Sequence, residues 1–412
     1  MSTALETQRS ADLAARLRRS LPGGDTRTGT FYRPYPIAIE RGDGFRIWDV
    51  DGNEYIDCLG NFSSLVHGYS APEIIAALTA QLQNGTAFAA PHAYQADVAE
   101  RLRERVSSVE HVRFGNSGTE AILLALRAAR AFTGREAIVK AAGGYHGFWE
   151  QLPMTPGARG IPRAVAGLVV EHEYNDLASL RSATEGRDDV AAIIMEPVLT
   201  AAGVVAATPG YLAEARRLAD EIGALLIFDE IVTLRMDYGG YQAVVGVRPD
   251  LTTFGKIIGG GLPVGAVGGR ADVLAVFDPS QPGAITHSGT FNGNALTMAA
   301  GAASLDRLTC DEIARINGLG ERLADGLRRA LPDAVVTQVG SVAQVHFGTG
   351  PEIRRYADTN MASEQLARFH AAALREGVYL ASRGLMVCST AMDEQTIDDV
   401  VGRLAAAGAA SR

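Results

Sequence analysis

Two hydrophobic rhythms divide the chain, and the change between them falls near residue 72. Before it, residues 9–19 read as a short helix, Pro22-Gly23-Gly24 breaks the pattern, and an irregular stretch runs to Pro36. Residues 45–57 then alternate apolar with polar side chains around Asp51-Gly52, the signature of a strand pair joined by a tight turn. After residue 72, helical segments are interrupted by seven short apolar runs, at 112–114, 137–140, 167–171, 190–195, 224–228, 251–254 and 265–268. Strands this apolar, alternating with helices, predict an α/β fold with a mainly parallel seven-stranded sheet covered on both faces. Beyond a Gly-rich segment at 288–293, helices at 294–308 and 311–330, strand-like residues 334–348, and helices near 363–376 and 395–407 predict a smaller α+β lobe. The expected division is an N-terminal segment, 1–60, belonging to the small domain, a large domain, 61–293, and a C-terminal small domain, 294–412. The Ala-rich end, 405–412, is expected to fray.

A chain of 412 residues with 47% hydrophobic content fills two such lobes. Its net charge of −9, with no basic block, argues against nucleic-acid or membrane-surface partners and leaves small molecules. No apolar run approaches the ~18 residues of a membrane span, and residues 1–20 lack the apolar centre of a secretion signal. Cys58, Cys310 and Cys388 are widely separated, which fits reduced thiols in a cytoplasmic protein without a structural metal.

Lysine is the informative residue. Only Lys140 and Lys256 occur, beside 36 arginines, so arginine replaces lysine almost everywhere a plain positive charge suffices. Arginine keeps its proton, whereas a lysine shielded from water can lose it and attack an aldehyde. Lys256 ends the apolar run from Leu251 and precedes Ile257-Ile258-Gly259-Gly260-Gly261, which sets an amine at a strand end facing closely approaching backbone. Lys140 ends the run Ala137-Ile138-Val139 and is read as a strand-end lysine reaching solvent.

Ligands of parallel α/β sheets sit beyond the carboxyl ends of the strands, and the residues there form a set. Ser117, Gly118 and Thr119 open an Ala-rich helix and suit a phosphate, although a plainly capped helix reads the same way. Gly143-Gly144-Tyr145-His146-Gly147 lets Tyr145 lie against a flat ring or pack in a Gly-rich turn. Glu196 and Asp229-Glu230 follow two further strands, where buried carboxylates require a cationic cofactor or an ion pair. Together with Lys256 they describe a site for a phosphate, a heterocycle with a protonated nitrogen, and an aldehyde.

On these residues the chain resembles the class III, fold-type I aminotransferases, a family that includes glutamate-1-semialdehyde aminomutase. The resemblance runs from Pro22 to about residue 405 and rests on Asn116-Ser-Gly-Thr-Glu-Ala121, Gly144-Tyr-His-Gly147, Glu196-Pro197, Phe228-Asp-Glu-Ile231, Gly255-Lys-Ile-Ile-Gly-Gly-Gly261 and Gly289-Thr290. It implies pyridoxal 5′-phosphate, with Lys256 forming the Schiff base and Asp229 pairing with the pyridine nitrogen. It further implies that Ser117, Gly118 and Thr119 hold the phosphate, Tyr145 and Ile231 cover the two ring faces, and His146 and Glu196 complete the cofactor site. Thr290 resembles the family threonine that reaches the phosphate of the neighbouring subunit, which implies a homodimer with shared sites. Within the family the resemblance is nearest to β-phenylalanine aminotransferases, carried by residues 22–32, 67–73, 287–292 and 379–385. It implies an amino donor that is an aromatic β-amino acid, a 2-oxo acid acceptor, and carboxylate binding by Arg27 and Arg383. The chain departs from that group at Ile231-Val-Thr-Leu-Arg-Met236, at Asn61-Phe-Ser-Ser64, and at Val198-Leu199, where the group carries a glutamine.

Lys256 and Asp229 would serve an aminomutase or a racemase equally well. A nucleotide-binding loop around Gly255-Lys256 fails on spacing, because Ile257 stands where Ser or Thr would bind magnesium and no GxxxxGK precedes it. A noncatalytic cofactor-binding regulator would need an appended basic DNA-binding segment, which is absent from these residues.

Overall fold

The computed structural model describes residues 6–149, 152 and 159–412. The chain forms two compact units, one of Met1–Ala71, Arg315–Ile353 and Asp358–Arg412, the other of Pro72–Ala314 and Arg354–Ala357.

The second unit is built on a seven-stranded sheet in the order His111–Gly115, Gly265–Gly269, Leu251–Gly255, Leu225–Asp229, Val190–Met195, Ala137–Ala141, Val169–His172. Gly265–Gly269 runs antiparallel to both its neighbours and the other pairings are parallel. The five strands from Gly265–Gly269 to Ala137–Ala141 are buried throughout, which is why the sequence shows unbroken apolar runs rather than alternation. Helix Gly118–Thr133 buries Ile122, Leu124 and Leu126 among small alanines, and Gly134, at φ 69°, closes it in the left-handed conformation. The glycines of Gly265–Gly269 have a steric cause: a Cβ on Gly265 would lie 1.9 Å from the carbonyl oxygen of Ser117. That strand is thinned so that the start of helix Gly118–Thr133 can rest on it. Helix Ala295–Arg307 belongs to this unit and packs on helices Pro72–Leu82 and Ala93–Arg105.

The first unit holds two sheets. Ile39–Asp43, Arg46–Asp49 and Glu54–Asp57 form an antiparallel meander that Val378–Tyr379 extends in parallel, and Ala334–Val339, Val342–Phe347 and Leu385–Val387 form a second, antiparallel sheet. Leu327, Val345, Phe369, Val378 and Leu404 lie together in its core. The expected fraying of 405–412 is corrected: helix Glu394–Ala410 persists almost to the terminus. Ala407 and Gly408 are buried there, and a Cβ on Gly408 would sit 2.2 Å from Leu331, so the small residues serve packing rather than flexibility. Among the described residues no helix is long and apolar enough to cross a membrane.

Candidate active site

The carboxyl ends of the parallel strands carry the polar groups. Lys256 follows strand Leu251–Gly255 directly, begins the short turn Lys256–Gly259, and holds φ at 51°. A side chain in left-handed backbone is uncommon and marks a position over-determined by its surroundings. The residues that follow are closely packed, since Ile257 and Ile258 are buried and a Cβ on Gly260 would lie 2.5 Å from the carbonyl oxygen of Ala300.

Asp229 ends the adjacent strand, level with Thr253, and is buried. Its Oδ2 lies 2.8 Å from Nδ1 of the fully buried His146, while Oδ1 accepts from the Thr253 hydroxyl at 3.2 Å and the Ile231 amide at 3.2 Å. The His146 Nε2 atom is buried with no hydrogen-bond partner among the described residues. Glu196 accepts from the Tyr145 amide at 2.9 Å, the Thr200 amide at 3.1 Å and the Thr200 hydroxyl at 2.7 Å. Burial raises its pKa, the His146 ring opposes that rise, and the charge of Asp229 adds to it. Glu230 turns away into structure: Thr233, Gln242 and the amides of Tyr241 and Gln242 donate to its two oxygens and tie down residues 230–242. The sequence-level demand for a cation at these carboxylates is therefore met in large part by neutral donors.

Ser117 caps helix Gly118–Thr133, its Oγ accepting from the Glu120 amide at 3.2 Å. Gly118 leaves room for Ile231, whose Cδ1 would lie 2.7 Å from a Cβ there. Thr119 Oγ1 accepts from the Phe148 amide at 3.1 Å, and a Cβ on Gly147, itself at φ 88°, would stand 2.4 Å from that oxygen. The helix start and the Gly143–Gly147 loop are thus pressed together by glycines. Tyr145 projects from that loop and is 48% exposed, and Gly143 is seated under the ring of Tyr356.

Thr290 is exposed beside Phe291, which is 59% exposed. Its loop is held by a relay that sequence reasoning did not anticipate. Arg113 Nε donates to His287 Nδ1 at 2.8 Å, His287 Nε2 lies 3.2 Å from the Asn292 amide, and Asn116 Nδ2 donates to Asn292 Oδ1 at 2.7 Å. Burial, then the neighbouring Arg113, lowers the pKa of His287. Thr253, Arg113 and Asn292 gave no signal because their partners are 24 to 176 residues away and meet only in the folded chain.

Lys140 is a correction. It is fully buried, not solvent-reaching, and its Nζ lies 2.8 Å from Glu171 Oε1, the residue paired with it in the neighbouring strand. Cross-strand pairing supplies the counter-charge that a buried ammonium needs.

The two candidate substrate arginines belong to the first unit. Arg27 Nη1 donates to Asn61 Oδ1 at 3.0 Å, and the Arg383 guanidinium lies 6.0 Å from the centre of the Phe62 ring.

The second unit therefore presents a lysine in constrained backbone after one strand, a buried aspartate held by histidine on the next, a capped helix start pressed to a glycine loop, and a half-exposed tyrosine. This donor set fits pyridoxal phosphate, with Tyr145 exposed for ring contact and glycines 118 and 147 letting Ile231 and the Gly143–Gly147 loop close on the helix start. The class so defined is the fold-type I enzymes that use this cofactor. The class-III aminotransferase family model matches residues 29–407, and the chain belongs to that family of pyridoxal-phosphate-dependent enzymes. It is similar over 98% of both chains to an omega-transaminase from Sphaerobacter thermophilus, with 39% identity and a TM-score of 0.94. It is also similar to a β-phenylalanine aminotransferase from Variovorax paradoxus, at 36% identity and TM-score 0.89 over 97% of this chain and 93% of that one. A glutamate-1-semialdehyde aminomutase from Pseudomonas aeruginosa matches at 26% identity and TM-score 0.89, over 98% and 95%.

Proposed function

We propose that this aminotransferase takes the amino group of an aromatic β-amino acid resembling β-phenylalanine and delivers it to 2-oxoglutarate or pyruvate in two alternating half-reactions. The observation that carries the cofactor chemistry is the juxtaposition of Lys256, fixed at φ 51° after its strand, with the neighbouring strand end at buried Asp229. The donor class is supported by the similarity to an omega-transaminase and a β-phenylalanine aminotransferase. Pyridoxal phosphate, when bound, supplies the electron sink and the carbonyl carbon that the amine attacks. Lys256 would hold the cofactor through its amine, and the same amine would move a proton to and from the substrate carbon. Asp229 would face the ring nitrogen and keep it protonated, with His146 and Thr253 orienting the carboxylate. Ser117, Gly118 and Thr119 hold the phosphate, Tyr145 and Ile231 enclose the ring, and Glu196 fixes the Tyr145 loop through its amide.

Arg27 and Arg383 bind the substrate carboxylates, for which a planar guanidinium fork is suited. The protein acts as a cytoplasmic homodimer in which Thr290 reaches the phosphate of the adjoining subunit, a reading supported by the exposure of Thr290 and Phe291. The test is turnover of β-phenylalanine with 2-oxoglutarate by the wild type and by Lys256→Ala. Loss of turnover in the variant, with cofactor still bound noncovalently, is expected. Product formed beyond one equivalent per site without any oxo acid would instead favour a reaction that needs no acceptor, such as that of an aminomutase.

A further inference from the structure

Gly60, Asn61, Phe62 and Ser63 hold φ at 53°, 46°, 55° and 69°, a complete left-handed turn in which three of the residues carry side chains. Residues with a Cβ visit this region singly and not in runs, and such strain collects where a ligand or a contact requires it. The turn is fixed from below. Buried Asp57 accepts from the amides of Leu59 at 2.7 Å and Gly60 at 3.1 Å through Oδ1, and from the Tyr69 hydroxyl at 2.7 Å through Oδ2. Within the turn, the Ser63 amide donates to the Leu59 carbonyl at 2.9 Å and the Leu65 amide to the Gly60 carbonyl at 3.0 Å.

Its outer side meets both arginines. Asn61 Oδ1 receives Arg27 Nη1 at 3.0 Å while Asn61 Nδ2 donates to Ser64 Oγ at 3.1 Å, so the amide is held at both ends. The next residue, Phe62, carries the guanidinium of Arg383 at 6.0 Å from its ring centre. Consecutive residues of one strained turn thus bear cations that lie 356 positions apart in the chain. Both contacts are made with uncharged groups. An amide oxygen and an aromatic face orient a guanidinium without themselves supplying a counter-charge.

We infer that the left-handed turn Gly60–Ser63 sets carboxylate specificity, with Asn61 and Phe62 as positioning residues for Arg27 and Arg383. The inference rests on the reading of those arginines as the carboxylate partners. Asn61 is chemically suited to the task, because asparagine tolerates left-handed backbone better than other residues bearing a Cβ.

The experiment is steady-state kinetics of the cofactor-loaded enzyme with 2-oxoglutarate varied, for wild type, Asn61→Gly, Asn61→Asp, Phe62→Leu and Arg27→Ala. Glycine keeps the backbone and loses the contact; aspartate keeps the backbone and the contact and neutralises Arg27. Both Asn61 variants are expected to raise KM roughly tenfold with kcat within about twofold, the pattern of lost uniform binding, and Asn61→Asp to raise it more. Phe62→Leu should raise KM by roughly threefold through the loosened Arg383. A turn with a merely structural role would instead lower kcat and the folded fraction at constant KM, and that result overturns the inference. If Arg27→Ala raises KM while both Asn61 variants leave it unaltered, this inference alone falls. If Arg27→Ala leaves KM unaltered, the carboxylate reading falls and the inference with it.

Discussion

His146 Nδ1 and Asp229 Oδ2 lie 2.8 Å apart with both side chains buried, so the Gly143–Gly147 loop and the end of strand Leu225–Asp229 are joined at the aspartate assigned to the cofactor ring. The histidine occupies one carboxylate oxygen and leaves Thr253 and the Ile231 amide to hold the other.

His146→Ala removes that bond and frees Asp229 to rotate. A hydrogen bond to a charged group contributes about 1.5–3 kcal/mol, which corresponds to roughly 10- to 100-fold in rate. We expect kcat to fall within that range, and Asp229→Asn to cost more because the ring nitrogen loses its anionic partner. An unchanged kcat in either variant would remove the role given to the pair.

The Lys140–Glu171 pair concerns stability and not chemistry. Glu171→Ala strands a fully buried ammonium, and breaking such a pair costs about 3–5 kcal/mol, less here by the partial exposure of the glutamate. Urea unfolding should show a clearly lowered midpoint, and the variant's folded fraction should keep its kcat. An unchanged midpoint would mean that water already reaches Lys140.

The large sheet, the strand-end placement of Lys256 and Asp229, and the helix start at Ser117 were legible because each leaves a local mark: an apolar run, then the polar residue that ends it. Lys140 carried the same mark and misled, since only the register with Glu171 distinguishes a buried strand-end lysine from an exposed one. The left-handed turn at Asn61-Phe62 was illegible for a related reason. Its backbone is dictated by Asp57, Leu59 and Tyr69, while the residues in it have no shared preference for that conformation. The Ala-rich end was misread because its terminal position and small side chains suggested no packing partner, although alanine favours helix and Leu331 supplies the contact.

Stability should also report on His172, which burial, aided by nearby Lys140, holds at a pKa of about 4. Unfolded, it titrates near the ordinary value of about 6.5. Between those values the unfolded chain binds the proton and the folded chain does not, so the His172 contribution is full above pH ~6.5 and is lost as pH falls toward about 4. Urea midpoints measured across that window should fall less steeply for His172→Gln than for the wild type. Equal slopes would place the acid sensitivity elsewhere.

Gly147 tests the glycine cradle. Alanine there meets Thr119 at 2.4 Å in backbone at φ 88°, so the helix start and the loop must separate. Cofactor affinity of Gly147→Ala should fall by roughly tenfold or more, about 1.4 kcal/mol, as read from the dissociation of pyridoxal phosphate on dilution. Retention equal to that of the wild type would show that the loop does not contribute to the cofactor site.

The most direct test of the account is the visible absorption of the purified, pyridoxal-phosphate-loaded protein, followed as β-phenylalanine and then 2-oxoglutarate are added. The account predicts that the visible band of the lysine-held cofactor bleaches with the amine and returns with the oxo acid, and that Lys256→Ala shows neither the initial band nor the cycle. A wild-type band that β-phenylalanine leaves untouched would contradict the β-amino acid assignment, and a complete cycle in Lys256→Ala would contradict the role of the lysine itself.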